Sequence, residues 1–184
     1  AVELPSQFLE NWCWERGALD LVTSHVDTGE ALPDKLLQKL RGARNFQSGM
    51  QMVRQLEFAL FDFRLHASTV QISADAILRV LDDVRQQVAV VTPPPFDRFP
   101  HAFSHIFAGG YAAGYYGYLW SEVLSADAYN RFEQEGVFSA TAGREFLHHV
   151  LETGGVEEPL DVFKAFRGRE PSINAFLRHS GLNV

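Results

Sequence analysis

Apolar side chains recur every three or four residues along most of this 184-residue chain, and nowhere do they alternate for the length of a strand. That periodicity commits the chain to helices. Leu4, Phe8 and Trp12 fall at i, i+4 and i+8, with Glu3, Gln7 and Glu10 on a neighbouring stripe. Pro5 is tolerated in a first turn that has no amide partner to lose. A short helix is predicted over 17–24, and Thr28 to Pro33 reads as a connection into another over 34–40. Over 45–66, Val53, Leu56, Leu60 and Phe63 mark one apolar face and Phe58, Phe61 and Leu65 another, which predicts a centrally buried helix. Ser73 is placed to cap a helix on which Ile77, Leu81, Val84 and Val88 repeat.

Pro93-Pro94-Pro95 then stops the helical pattern, and 91–110 is predicted to be an irregular segment, rich in Pro, aromatics, His101, His105 and the pair Gly109-Gly110. The pattern resumes near Tyr111 and runs to about Glu135, with Gly136 as its stop. Two or three shorter helices follow, bounded by Gly154-Gly155, Glu158-Pro159, Gly168 and Gly181. The expected fold is all-α, one helical region over 1–184 with the irregular segment inside it.

Composition narrows the function classes. With 46% hydrophobic and 21% charged residues the chain is an ordinary globular sequence, long enough to bury roughly 70% of the surface its unfolded form exposes. The single cysteine, Cys13, excludes an internal disulfide or a thiolate zinc cluster and suits a reducing compartment. The net charge is −7, and no basic cluster exceeds Arg167-Gly168-Arg169, so nucleic acid is not an expected partner. No apolar run reaches the roughly 20 residues of a membrane span, and the first residues are not a secretory signal. The chain opens abruptly without an initiator Met, from which a fragment or processed piece is expected.

Four of the five tyrosines lie within eight residues, at Tyr111, Tyr115, Tyr116 and Tyr118. On a helix, Tyr111, Tyr115 and Tyr118 would share a stripe at i, i+4 and i+7, with Tyr116 pointing elsewhere. Gly109, Gly110, Gly114 and Gly117 interleave with them, as where a backbone or ligand approaches closely. Two readings stand: an aromatic core stripe, or phenols lining a cleft as donors to a developing oxyanion. His101 and His105 have the spacing of two zinc ligands, but Ala102 stands where a His-Glu-x-x-His motif carries its Glu, and Pro100 disfavours a regular helix. His148-His149 are adjacent, so they should diverge on a helix. No nucleophile elbow, phosphate loop or dinucleotide fingerprint occurs.

Four strings carry a resemblance: Glu3-Leu-Pro-Ser-Gln-Phe-Leu-Glu-Asn-Trp12, Phe58-Ala-Leu-Phe-Asp-Phe-Arg-Leu-His66, His105-Ile-Phe-Ala-Gly-Gly-Tyr-Ala-Ala-Gly-Tyr-Tyr-Gly-Tyr-Leu-Trp-Ser-Glu122 and Phe166-Arg-Gly-Arg-Glu-Pro171. Together they resemble the thimet oligopeptidase family of zinc metallopeptidases, over essentially the whole chain and corresponding to the last quarter or so of such an enzyme. The resemblance implies the helical C-terminal part of a zincin-type catalytic domain, acting on short peptides in the cytoplasm. It implies that Glu3 is the third Zn²⁺ ligand, that His105 binds substrate, that Tyr111 and Tyr118 contact substrate and polarise the scissile carbonyl, and that Tyr115 lines the cleft. The His-Glu-x-x-His motif is absent, so the two other ligands and the general base belong to a missing N-terminal portion, and this chain alone is expected to be inactive. The rival reading is a free-standing helical module that binds peptides or a partner without chemistry.

Overall fold

The helical periodicity is borne out: the computed structural model, which describes residues 3–69 and 73–182, contains helices and turns and no strand among those residues. Helix α1 is Leu4–Glu10, followed by a 3-10 turn at Asn11–Trp14, α2 Arg16–Val22 and α3 Asp34–Arg44. Then come α4 Ser48–Ala67, α5 Ala74–Val88, the single-turn helices α6 Phe99–Ala102 and α7 Ser104–Phe107, and α8 Gly117–Glu135. Helix α9 Ala140–Phe146 runs into a π-helical turn at Leu147–Leu151, and α10 Pro159–Arg167 and α11 Asn174–His179 complete the order. Two of the expected boundary signals act as read. Ser73 Oγ accepts from Ala76 N at 3.2 Å to cap α5, and Gly136, at φ 108°, ends α8.

Backbone contacts divide the chain into two compact units, 1–46 with 120–184, and 47–119. In the first, the stripe read from Leu4, Phe8 and Trp12 packs onto α8, α9 and α10. Phe8 stacks on Phe146 with ring centroids 4.0 Å apart and meets Phe132 edge-on at 5.5 Å, while Trp12 meets Tyr129 at 4.8 Å. Each such pair adds about 0.5–1.5 kcal/mol beyond the area it buries. The indole N–H of Trp12 donates to Val137 O at 2.8 Å, so the largest ring in the stripe carries no unmet donor.

A buried ionic lock closes the other side of this unit. Gly168, in the left-handed region at φ 71°, ends α10 and turns the chain back, so that the arginines on either side of it converge on one carboxylate. Asp127 on α8 has no exposed surface, and its oxygens accept from Arg167 at 3.1 Å, from Arg169 at 2.5 Å and from Ser172 N at 2.6 Å. Burial pulls the Arg167 guanidinium down from its ordinary pKa and Asp127 pushes it back up, while the hydrogen bond to Asp127 raises that of Arg169.

In the second unit, α5 packs Leu81 and Val84 inward as its repeat predicts. Helix α4 departs from the expected central burial: Phe61 and Leu65 are enclosed, but Leu56 and Phe63 are 43% and 45% exposed. The enclosed side chains lie on the face that packs against α5 and the rings of Phe99, Phe103 and Tyr115, whereas Leu56 and Phe63 lie on the opposite face. His148 and His149 also depart from expectation, because the π turn winds wider than an α-helix and holds their ring centroids 5.1 Å apart.

Glu133, near the end of α8, supplies a pH test of the first unit. Burial acts to raise its pKa, but hydrogen bonds from His179 and Asn130, with the charges of His179 and Arg178, bring it down to about 2. Its contribution to stability is therefore full above the ordinary value of 4.5 and is lost as the pH falls through about 2. Glu133→Gln should lower the urea midpoint at neutral pH, and the gap to the parent protein should close between pH 4.5 and 2.

Candidate functional site: imidazole and phenols on a glycine-rich turn

The site is built by one aromatic anchor. Phe103, in the break between α6 and α7, is 4% exposed, with ring centroids 4.7 Å from Phe99, 5.4 Å from Phe58 and 4.9 Å from Tyr115. That burial fixes the chain one residue before α7 and leaves His105, two residues on, exposed on the short helix. Behind it, Arg85 holds the proline-rich approach. Its guanidinium donates to Glu57 on α4 at 2.9 Å and to Asp97 at 2.7 Å; burial acts to lower its pKa, and the hydrogen bonds and charges of the two carboxylates together raise it. The two single-turn helices α6 and α7 lie within the 91–110 segment expected to be irregular.

After α7 the chain does not resume a helix at Tyr111, which corrects the reading of a helical tyrosine stripe. Residues 112–116 are turns, and α8 begins at Gly117, so of the three tyrosines only Tyr118 is helical. Gly110 and Ala113 both take positive φ, 81° and 55°, and such residues cannot continue a right-handed helix. The turns are hydrogen-bonded: Tyr111 N donates to His105 O at 3.0 Å, Gly114 N to Tyr111 O at 2.8 Å and Gly117 N to Gly114 O at 2.9 Å.

The cluster survives by another route. Tyr111 and Tyr118 stack with ring centroids 4.8 Å apart, Tyr115 lies 5.2 Å from Tyr118, and the His105 ring lies 6.3, 5.7 and 6.1 Å from Tyr111, Tyr115 and Tyr118. Tyr111 and Tyr118 are half-buried, whereas Tyr115 is buried and donates its hydroxyl to Gln55 Oε1 at 3.0 Å. Tyr116 turns away onto Phe63, as its position in the string predicts. His101 sits exposed on α6, separated from His105 by the Phe103 break, so the two do not share a helical turn.

Two residues that the sequence reading missed organise the cluster from below. Asp62, wholly buried on α4, accepts from Ala113 N at 2.8 Å and from Tyr115 N at 2.9 Å, and His66 Nδ1 lies 2.8 Å from the same carboxylate. Gln55, two turns earlier on α4, takes the Tyr115 hydroxyl. A signal existed: Phe58, Asp62 and Leu65 fall at i, i+4 and i+7, which puts a carboxylate in the buried stripe of its helix.

Glu3 belongs to the other unit. It is half-buried in the turn leading into α1, and its carbonyl accepts from Gln7 N and Ser6 Oγ, both at 3.0 Å. Among the described residues no three His, Cys, Asp or Glu side chains converge as a metal site. No helix of the described residues is long and apolar enough to cross a membrane.

The His105 imidazole thus stands among three phenols, next to turns that backbone hydrogen bonds hold in place. Residues 1–182 match the profile of Peptidase family M3, and the chain belongs to that family. Within it the chain is 58% identical over 182 residues to oligopeptidase A of Salmonella typhimurium and 57% identical to that of Escherichia coli, in each case covering 99% of the chain and 27% of the relative. A protein described as probable cytosolic oligopeptidase A of Arabidopsis thaliana is 50% identical over 186 residues, covering 99% and 26%. The chain therefore spans about a quarter of the length of these relatives.

Gly109 tests the geometry of the turn. A Cβ there would lie 2.9 Å from His105 Cα and 3.0 Å from His105 O, and backbone atoms cannot rotate aside. Gly117 has open space around the same position. Gly109→Ala should shift the His105 imidazole resonances, while Gly117→Ala should leave them in place.

Proposed function

We propose that this chain is the C-terminal catalytic-domain portion of a zinc-dependent oligopeptidase that hydrolyses short peptides in the cytoplasm. The observation that carries the proposal is the His105, Tyr111 and Tyr118 cluster on its turn in a chain of Peptidase family M3. In this reading His105 and Tyr111 bind the peptide, Tyr115 lines the cleft with its hydroxyl held by Gln55, and Tyr118 donates to the oxyanion that develops on the scissile carbonyl. The similarity to oligopeptidase A is what supports a short peptide as the partner.

Glu3 is the carboxylate that this chain offers toward zinc, and one ligand falls short of the three that a catalytic site takes from protein. The remaining donors and the general base come, in this proposal, from an N-terminal portion carrying His-Glu-x-x-His, a motif that residues 1–184 lack. When bound, the ion would supply Lewis-acid activation of the carbonyl and of water. This chain's own part is to hold the peptide and to stabilise negative charge. The missing motif also supports a second reading, in which the chain alone binds peptides without cleaving them.

Both readings are tested in the intact protein and in the chain alone. In the intact peptidase, Tyr118→Phe should lower kcat about 100- to 1,000-fold with little change in KM, because its hydroxyl acts on charge that exists only in the transition state. Glu3→Gln should lower the zinc retained after dialysis. The isolated chain should neither retain stoichiometric zinc nor hydrolyse peptide. An unchanged kcat in Tyr118→Phe returns that phenol to a packing role, and hydrolysis by the isolated chain refutes the division of the site.

A further inference from the structure

We propose that Asp62 is a positioning residue for the peptide-binding turn: through two backbone amides its buried carboxylate sets where Tyr111, Tyr115 and Tyr118 stand. The inference rests on the peptidase reading for its activity arm and on geometry alone for the rest.

The carboxylate of Asp62 is fully enclosed, and an ion so placed needs donors at both oxygens. Three are in reach. Oδ1 receives Ala113 N–H at 2.8 Å and Oδ2 receives Tyr115 N–H at 2.9 Å, so the two oxygens grip alternate amides of one turn, 51 and 53 residues away in sequence. His66, one helical turn along α4, brings Nδ1 to 2.8 Å from Oδ1 and 2.9 Å from the Asp62 carbonyl. Both neighbours of that nitrogen are acceptors, so Nδ1 carries the proton, and the ring holds the carboxylate in the plane that serves both amides.

The gripped residues are the ones whose conformation decides the cluster. Ala113 sits at φ 55°, a region that is unfavourable for a residue with a Cβ, and the bond from its own N–H to Oδ1 stabilises that geometry. Reversal of the chain at Ala113 sets Tyr115 inward over Gln55, and two residues later the chain enters α8 with Tyr118 stacked on Tyr111. Without the grip, the turn from Ala112 to Tyr115 would lose the two bonds that tie its backbone to α4. The bonds that Asp62 accepts from the turn come from main-chain amides, so its effect passes through the backbone.

The test uses the intact peptidase. Asp62→Asn presents one NH₂ group to a donor, so at least one of the two amide bonds is lost. Hydrogen exchange should show at least about tenfold faster exchange at Ala113 and Tyr115 with the rest of α4 unchanged. With a short peptide, kcat should fall about 100-fold, the scale of a misplacement near 1 Å, while KM changes less than about threefold and bound zinc is unaltered. A residue needed only for folding would lower the melting temperature and leave kcat per folded molecule intact, and that result overturns the proposal, as does undiminished amide protection. Should Asp62→Asn fail to fold, replacing Ala113 by lactic acid removes the N–H that Oδ1 accepts, and faster exchange at the Tyr115 amide with the same kcat loss must follow for the proposal to stand. If the parent protein hydrolyses no peptide, the peptidase reading fails, and the exchange result still decides the grip.

Discussion

A carboxylate taken wholly out of water must be met by donors, and the donors it finds dictate which distant pieces of chain lie together. Asp62 in one unit and Asp127 in the other are such groups. Asp62 draws the Tyr111 to Gly117 turn onto α4, and Asp127 draws the segment after α10 onto α8. In both cases the partners include backbone N–H groups of irregular segments, which have no helix of their own to satisfy them. Apolar packing holds α1 against α8 and α9, whereas the 111–117 turn and the segment after α10 are tied down by buried carboxylates.

The division explains which parts of the molecule a sequence can disclose. The repeat of Ile77, Leu81, Val84 and Val88 after a capping serine states a helix, because burial and capping are local properties of consecutive residues. The tyrosine string misleads for the same reason. Its spacing satisfies a helical template, but the backbone is decided by positive φ at Gly110 and Ala113, and at Ala113 by a carboxylate 51 residues upstream that no local pattern contains. The cluster itself was legible because aromatic rings four and seven residues apart meet again when a turn replaces the helix. Glu3 shows the opposite limit: its place before α1 follows from Pro5, but the role given to it comes from resemblance and not from any pattern around it.

Family membership and geometry bear on different questions here. The match over residues 1–182 fixes the class of protein, and the packing around Phe103 accounts for why His105 stands near the phenols. Neither supplies the other. A similar string could place the same residues on a regular helix, and a similar cluster could occur in a fold with no peptidase ancestry.

The Asp127 lock has a further consequence in the ionic atmosphere. Arg167 is 6% exposed and Asp127 not at all, so mobile counter-ions, which screen over about 8 Å in physiological salt, cannot come between them. The pairs Lys164 with Glu170 and Arg178 with Glu133 are partly open to solvent and weaken as salt rises. Concentrated salt would thus weaken the surface pairs of this unit before it reached the Arg167–Asp127 contact that joins α10 to α8.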